Sequence, residues 1–171
     1  MREYYLVEFV NNKKSRFCFW ISDEKDKFLQ EKGVVVFFDN QLQAKKYAKK
    51  NEFKIDDEYT TYDVDFFEKW LQIKTANISC KKFLDFWNIC ADMAYTLNKE
   101  FIGNRDYEEL DIYNNLFHGN NLPVIRQQGE IFIPVWEDSD VEILSRVIKD
   151  GVEMVREVID ETRLCALFGE D

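Results

Sequence analysis

The chain contains one histidine, two prolines and six glycines, and these shortages exclude several kinds of active site. A di-metal helical bundle needs paired Glu-x-x-His motifs, and the single imidazole of His118 cannot supply them. Glycine-rich phosphate loops, Gly-x-Ser-x-Gly, paired Cys-x-x-Cys and His-Glu-x-x-His motifs are all missing from the sequence. We therefore expect no catalytic residues, no metal site and no cofactor, and we interpret the protein as a non-enzyme.

Long apolar runs are also missing, so the sequence predicts no membrane span. The first ten residues, MREYYLVEFV, are typical of a strand and lack the cleavage site of a signal peptide. The cysteines Cys18, Cys80, Cys90 and Cys165 show no close spacing, which favours reduced, packed thiols. Together these features predict a cytoplasmic protein.

Negative charge is in excess, with a formal net charge of −10 at pH 7. Residues 1–74 contain 14 basic and 14 acidic side chains, whereas residues 75–171 contain 9 basic and 19 acidic ones. A field of this sign repels phosphates, so we expect no direct binding of nucleic acid. It attracts a basic protein or a cation, although a general role in solubility is the alternative explanation.

The first 64 residues are rich in β-forming side chains. Residues 4–10 and 16–22 predict a hairpin with a five-residue loop, and residues 58–64 predict another strand. The continuous apolar run 34–38 predicts a strand buried on both faces, and residues 42–53 predict a basic amphipathic helix. This part is therefore expected to form a small, mainly antiparallel sheet with one helix.

Helical patterns dominate from residue 65 onward. Apolar side chains recur every three or four residues between Ser79 and Asn98 on so many sides that this helix should be central to the core, with Ser79 as its N-cap. Other helices are expected over residues 65–73, capped by Asp65, over residues 107–117, and from a capping box at Ser139 and Glu142. The apolar stripe expected to face the core in this last helix is Val141, Leu144, Ile148, Val152, Val155 and Ile159. Residues 129–135 are expected to form a short edge strand or an extended arm.

We therefore predict an α+β fold in which the sheet-rich residues 1–64 pack against the helical residues 65–171. The two parts are expected to be lobes of one domain that spans residues 1–171. Within the helix over residues 107–117, Leu110, Phe117 and either Tyr113 or Asn114 are expected to face the core.

Two pairs of carboxylates are the remaining candidates for chemistry. Asp63 and Asp65 precede a predicted helix and are suitable ligands for Mg²⁺, although helix capping and solvation explain them more simply. Asp85 and Asp92 lie on one helix face, seven residues apart, and paired carboxylates of this kind occur in glycosidases. His118 is expected to pack or to stabilise a helix C-terminus.

An acidic surface is the candidate for binding a partner, because aromatic residues inside a charged rim are common in protein interfaces. Its predicted members are Trp136, Glu137, Asp138, Asp140, Asp150, Glu153 and Glu157. A second acidic patch is predicted at Asp106, Glu108, Glu109 and Asp111. An ordinary solvated helix face is the alternative interpretation of both sets.

Four segments resemble a known family. The stretches YDVDFFEKWL at residues 62–71, FLDFWNICADMAY at 83–95, LFHGNNLPV at 116–124 and PVW at 134–136 resemble immunity proteins of bacterial contact-dependent growth inhibition systems. The resemblance extends over residues 62–152 and concerns general pattern. It implies a cytoplasmic protein that binds one cognate toxin domain, often a nuclease, and blocks its active site. We also expect the free protein to be a monomer.

The sequence therefore predicts an immunity protein that neutralises a basic toxin domain by stoichiometric protein–protein binding. The first alternative is a small metal-dependent hydrolase or transferase that uses Asp63 and Asp65. The second alternative is a scaffold or adaptor subunit whose aromatic residues serve oligomerisation.

Overall fold

The computed structural model describes residues 2–105, 108–124 and 129–168 and has an α+β fold. Its strands are β1 (Glu3–Asn11), β2 (Lys14–Ser22), β3 (Lys27–Phe28), β4 (Gln30–Glu31), β5 (Val34–Val35) and β6 (Tyr59–Asp63). Its α-helices are α1 (Gln41–Lys50), α2 (Val64–Ile73), α3 (Cys80–Leu97), α4 (Glu108–Gly119) and α5 (Asp138–Phe168), with a 3₁₀ turn at Ile102–Asn104. Among the residues described, no helix is both long and apolar enough to cross a membrane.

The main sheet has the strand order β3-β2-β1-β6. β2 is antiparallel to both β1 and β3, whereas β6 is parallel to β1. The predicted fold, a mainly antiparallel sheet with one helix followed by a helical part, is confirmed. The predicted five-residue loop is wrong, because Asn11 pairs with Lys14 and only two residues form the turn. Those residues, Asn12 and Lys13, have φ values of 52° and 58°, the left-handed conformation that matches the twist of a tight hairpin.

The two faces of the sheet are both covered. Leu6, Phe17 and Phe19 pack with Ala44 and Ala48 of α1 on one face. On the other face, Val7, Phe9 and Cys18 join a hydrophobic cluster that includes Phe86 of α3 and Val155 of α5. This second cluster is shared by the sheet and the C-terminal helices, so burial of the same apolar surface stabilises both parts.

The prediction of a strand over residues 34–38 is wrong. Only Val34–Val35 forms a strand, in a separate two-stranded sheet with β4. Phe38 instead exchanges two backbone hydrogen bonds with Phe17, at N···O distances of 2.9 and 2.7 Å. The apolar run is therefore divided between two partners: Val34–Val35 pairs with β4, and Phe38 pairs with β2 of the main sheet. Of the two residues in β5, Val35 is buried and Val34 is half-buried.

Helix α3 occupies the central position that the sequence predicts. Ser79 caps it by accepting a hydrogen bond from the N–H of Lys82, and Asn98 ends it in the left-handed conformation. Eight of its 18 residues are buried. They are Phe83, Leu84, Phe86, Trp87, Ile89, Cys90, Met93 and Ala94. Since these side chains lie on most sides of the helix, α3 contacts α4, α5 and β3 at once.

Two predicted helix starts are wrong. Asp63, and not Asp65, caps α2 by accepting from the N–H of Phe66 at 3.0 Å. Helix α5 begins at Asp138, so Ser139 is already inside the helix. The carboxylate of Asp140 accepts from the N–H of Glu137 at 3.1 Å, which is the returning half of a capping box placed two residues earlier than predicted.

The buried face of α4 also differs from the prediction. Ile112 and Leu116 are buried, whereas Leu110 is 46% exposed. The helix is therefore rotated relative to the predicted face, and Tyr113 and Phe117 only partly pack against the core. The buried stripe predicted for α5 is confirmed at all six positions, which are Val141, Leu144, Ile148, Val152, Val155 and Ile159.

Gly151 determines how closely α5 approaches α3. A Cβ atom at this position would lie 2.7 Å from the Sγ of Cys90 and 3.3 Å from Cε1 of Phe86. Contacts this short do not occur without displacement of the neighbouring atoms, so the crossing of the two helices requires a residue without a side chain here.

We expect Gly151→Ala to lower the free energy of unfolding. Overpacking costs about 1–3 kcal/mol, whereas the higher helix propensity of alanine stabilises the helix by about 1 kcal/mol. Denaturant unfolding monitored by circular dichroism measures the change. In a Cys90→Ala background the same substitution should be neutral or stabilising, because the Sγ atom is gone. Equal losses in both backgrounds would contradict the proposed contact.

Arg156 connects α5 to the sheet-rich part of the chain. Its guanidinium donates two hydrogen bonds to the carboxylate of Glu68 in α2, at 2.8 and 2.7 Å, and a third to Oδ1 of Asn11 at 3.0 Å. The hydrogen bonds from Arg156 lower the pKa of Glu68. Because the folded-state pKa lies below its usual value of 4.5, the stabilisation is complete above that value and is lost as pH falls through the lowered pKa.

Glu68→Gln should therefore destabilise the protein by about 1 kcal/mol at pH 7, since the pair is partly exposed to solvent. The difference between wild type and variant should shrink as pH falls below about 4.5, where the wild-type carboxylate takes up its proton. Denaturant unfolding at a series of pH values measures both. A difference that stays constant down to pH 3 would show that the charge of Glu68 contributes nothing.

Candidate partner-binding surface

The predicted acids of α5 have different local roles. The carboxylate of Asp150 accepts from the N–H of Ile102 at 2.9 Å and so holds the 3₁₀ turn. Glu157 pairs with Lys99 at 2.7 Å, and Glu153 pairs with Lys149 at 3.8 Å along the helix. Exposed ion pairs of this kind contribute little to stability, but they reduce the charge that Glu153 and Glu157 offer to a partner.

The start of α5 carries the acids with the fewest such contacts. Glu137 and Asp138 are exposed, and Asp140 is half-buried because it bonds back to Glu137. Negative charge is favourable at this position, because the first backbone N–H groups of a helix give it a partial positive charge. Trp136 is half-buried and packs against the core, so it is less available as an anchor than the sequence suggested.

Among the described side chains of the second predicted patch, one is exposed and one is buried. Asp111 is exposed on α4. Glu109 is only 7% exposed, so its assignment to a contact surface is wrong, and the reason is the rotation of α4 described above. Asp106 lies outside the described residues, and Glu108 begins α4 with a side chain that the structure does not describe.

An exposed apolar segment precedes α5. Residues 129–135 are not part of a strand in the structure, so the extended-arm alternative is the one observed. Ile131, Ile133 and Val135 are 76%, 78% and 83% exposed, and Phe132 is 41% exposed. Three large aliphatic side chains this exposed in one short segment are unusual for a protein surface that contacts only water.

The position of the arm is defined by contacts with the end of α4. The N–H of Phe132 donates to Oδ1 of Asn121 at 3.0 Å, and Nδ2 of Asn121 donates to the carbonyl of Phe132 at 3.1 Å. The ring of His118 packs edge-on against Phe132, with centroids 6.1 Å apart, which agrees with a packing role for this histidine. The arm is therefore held at its middle while its aliphatic side chains point to solvent.

We name as the arm surface Ile131, Phe132, Ile133, Val135, Glu137 and Asp138. It combines an apolar strip with two exposed carboxylates at its C-terminal end. The acidic residues of this surface are evident from the sequence, whereas the exposure of its apolar residues is not. The sequence GEIFIPV at residues 129–135 shows that the segment is apolar. It does not show whether another part of the chain covers those apolar side chains.

Asp63 and Asp65 both have structural tasks. Asp63 caps α2, and the two oxygens of Asp65 accept from the N–H groups of Asn12 and Lys13 at 2.8 and 2.7 Å. These are the two turn residues in the left-handed conformation, so Asp65 stabilises the tight hairpin turn. Within the described ranges no group of three or more His, Cys, Asp or Glu side chains is arranged to hold a metal ion.

Asp65→Ala should cost about 1–3 kcal/mol, because two backbone donors lose a charged acceptor. The alternative function as a metal-dependent enzyme predicts instead that Mg²⁺ raises the melting temperature of the wild type and not of the variant. Thermal unfolding with and without Mg²⁺ distinguishes the two. Asp56→Ala, an exposed acid in the same part of the chain, is the matched control and should change neither quantity.

Asp85 and Asp92 line one cavity of about 260 Å³ between α3 and the main sheet. Nε1 of Trp20 donates to Oδ2 of Asp92 at 2.9 Å, and Lys81 donates to Asp85 at 2.5 Å. Burial raises the pKa of Asp92, and the hydrogen bond from Trp20 opposes that rise. The two carboxylates predicted to share one helix face thus lie at the same cavity.

The cysteines that can be assessed agree with packed thiols. Cys18 and Cys90 are fully buried, and burial raises the pKa of both. Cys80 is half-buried near Gly119, and all three are free thiols. The side chain of Cys165 lies outside the described part of α5. A thiol with a raised pKa is a poor nucleophile, so these buried side chains are suited to packing.

Comparison of the chain with protein-family models, with curated proteins and with solved structures finds no match in any of the three. The function therefore has to be inferred from the surfaces and contacts described above.

Proposed function

We propose that the protein is an immunity protein that binds and neutralises a cognate bacterial toxin domain by stoichiometric protein–protein contact. The observation that carries this proposal is the arm surface, in which exposed aliphatic side chains adjoin the acidic start of α5. Apolar side chains with charged neighbours at their edge are the combination that stable protein interfaces use. The resemblance of residues 62–152 to immunity proteins gives the class of partner.

The charge of the chain supports a basic partner. The acidic excess belongs to residues 75–171, which include the arm surface, whereas residues 1–74 have equal numbers of acidic and basic side chains. A nuclease domain needs a basic groove for phosphates, so a field of opposite sign accelerates its encounter with the inhibitor. We therefore propose a nuclease as the toxin and the bacterial cytoplasm as the place of binding.

Each part of the arm surface has a separate role in this proposal. Ile131, Ile133 and Val135 supply apolar area that is removed from water on binding, which lowers the dissociation rate. Glu137 and Asp138 supply charge at the edge of that area, which mainly changes the association rate and its dependence on salt. The two contributions are therefore separable by kinetics.

Co-expression with the toxin domain encoded by the neighbouring reading frame tests the proposal. We expect a one-to-one complex to co-purify and the cells to survive. Ile133→Asp should abolish rescue or weaken binding at least tenfold, because it places a charge in the apolar contact. Leu42→Asp is the matched control, since Leu42 is a 63% exposed leucine on α1, and it should leave binding unchanged.

The charge contribution has its own variants. Glu137→Lys with Asp138→Lys should slow association several-fold at low salt and reduce its salt dependence. Glu24→Lys with Glu58→Lys changes the net charge by the same amount on exposed positions of the sheet-rich part and should have a smaller effect. Equal effects of both pairs, or rescue without a complex, would count against the proposed surface.

A second copy of the chain is the competing occupant of the arm surface, as expected for a scaffold or adaptor subunit. Light scattering over a range of protein concentrations measures the molecular mass and so distinguishes a self-associating protein from a monomer. A mass that stays monomeric leaves the arm surface available for the toxin domain. A dimer that Ile133→Asp dissociates would overturn the proposal and favour the scaffold alternative.

A further inference from the structure

The cavity between α3 and the main sheet has a chemistry that neither the fold nor the arm surface explains. It is bordered by strands β1, β2 and β6 and by helix α3. Its described lining residues are Tyr5, Val7, Trp20, Thr60, Tyr62, Asp85, Asn88, Ile89 and Asp92. Three aromatic rings and two carboxylates therefore surround one space, and no lysine or arginine is among these lining residues.

The aromatic side chains give the cavity an electron-rich wall. The rings of Tyr5 and Trp20 have centroids 5.4 Å apart, and Trp20 is oriented by its hydrogen bond to Asp92. Tyr62 comes from the neighbouring strand β6, and its burial raises the pKa of its phenol, so this ring is neutral at pH 7. Aromatic rings attract ammonium and guanidinium groups, more strongly where water is partly excluded.

The two carboxylates give the cavity negative charge that nearby cationic side chains neutralise only in part. Within the described residues, Asp92 has no cation at ion-pair distance, and its one hydrogen bond comes from the neutral Trp20 indole through Oδ2. Asp85 has a partner in Lys81, but that lysine is 72% exposed and makes its contact from outside the cavity lining. A partly buried carboxylate without a cationic partner is stabilised when a cation arrives.

The size of the cavity limits the ligand. A volume of about 260 Å³ is smaller than the roughly 300–1,000 Å³ typical of sites for drug-sized molecules. A space of this size fits the end of one extended side chain, whereas a nucleotide or an oligosaccharide would extend beyond it. The charge, the rings and the size together specify an organic cation with an apolar stem.

We propose that this cavity binds the cationic end of a lysine or arginine side chain, held by Asp85 and Asp92 and flanked by the rings of Tyr5, Trp20 and Tyr62. The assignment of that side chain to the toxin partner rests on the proposed function. Binding of the cation itself does not, so the two are testable separately. In the complex, the pocket supplies a contact point formed by α3 and the main sheet, in addition to the arm surface.

A titration of the protein alone tests the cation site. The indole ¹H–¹⁵N signal of Trp20, identified by its loss in Trp20→Phe, reports on the cavity. N-acetyl-arginine amide should shift this signal saturably, whereas N-acetyl-citrulline amide, which has nearly the same shape without the charge, should not at equal ionic strength. Equal shifts with the two probes, or none with either, would overturn the proposal.

Isosteric variants separate the pocket from general attraction by an acidic protein. Asp92→Asn retains an oxygen that accepts from Trp20, so the fold is preserved, and Asp85→Asn is the second variant. Each should weaken binding of the arginine probe about tenfold, the loss expected for one charge-assisted contact. Asp111→Asn removes one exposed charge on α4 and should leave the affinity for the arginine probe unchanged. If it lowers the affinity as much as Asp92→Asn does, the probe does not bind specifically in the cavity and the proposal is wrong.

The source of the cation is decided in the co-purified complex. If a side chain of the toxin domain occupies the cavity, the arginine probe no longer shifts the Trp20 signal, and Asp92→Asn weakens the complex about tenfold. If the probe still shifts the signal in the complex, the partner side chain is excluded as the ligand. The result with the free protein stands in either case, and failure of the complex to form affects only the proposed function.

Discussion

The structure depends on the burial of helix α3 on most of its sides. Phe86 and Cys90 meet α5, Trp87 donates a hydrogen bond from Nε1 to the carbonyl of Gly103 at 3.1 Å, and other side chains meet the sheet. A helix surrounded in this way leaves only a narrow strip for polar side chains. Asp85 and Asp92 lie on that strip, so the same packing that forms the core also places two carboxylates beside the aromatic residues of the sheet.

The two candidate surfaces differ in how their side chains are fixed. Trp20 and Asp92 hold each other within a partly buried cavity, and a preorganised site of this kind loses little conformational entropy on binding. Hydrogen bonds at Phe132 hold the arm, and the side chains of Ile131, Ile133 and Val135 are largely exposed to solvent. Binding through the arm therefore costs more side-chain entropy, which the larger apolar area must offset.

Sequence and structure agree where the determining contacts are local. Ser79 was identifiable as the N-cap of α3, and the stripe from Val141 to Ile159 was identifiable from its spacing, because both depend on neighbours within one helix. The errors at Asp65 and Glu109 have another origin. Asp65 was displaced from the capping position because β6 continues to Asp63, and the carboxylate freed in this way reaches a turn more than fifty residues away in the chain. Glu109 is buried because α4 is rotated by its contacts with α3.

The sequence by itself determined the order of sheet-rich and helical parts, the central helix and the distribution of charge. These properties follow from the periodicity of apolar side chains and from counting ionisable groups, and neither needs knowledge of distant contacts. Only the tertiary structure decided that Asp85 and Asp92 share a cavity with Tyr5 and Trp20, and that the apolar side chains of the arm remain uncovered. Both depend on which surfaces meet when strands and helices distant in the chain pack together, and that choice is made by the shape of the whole core.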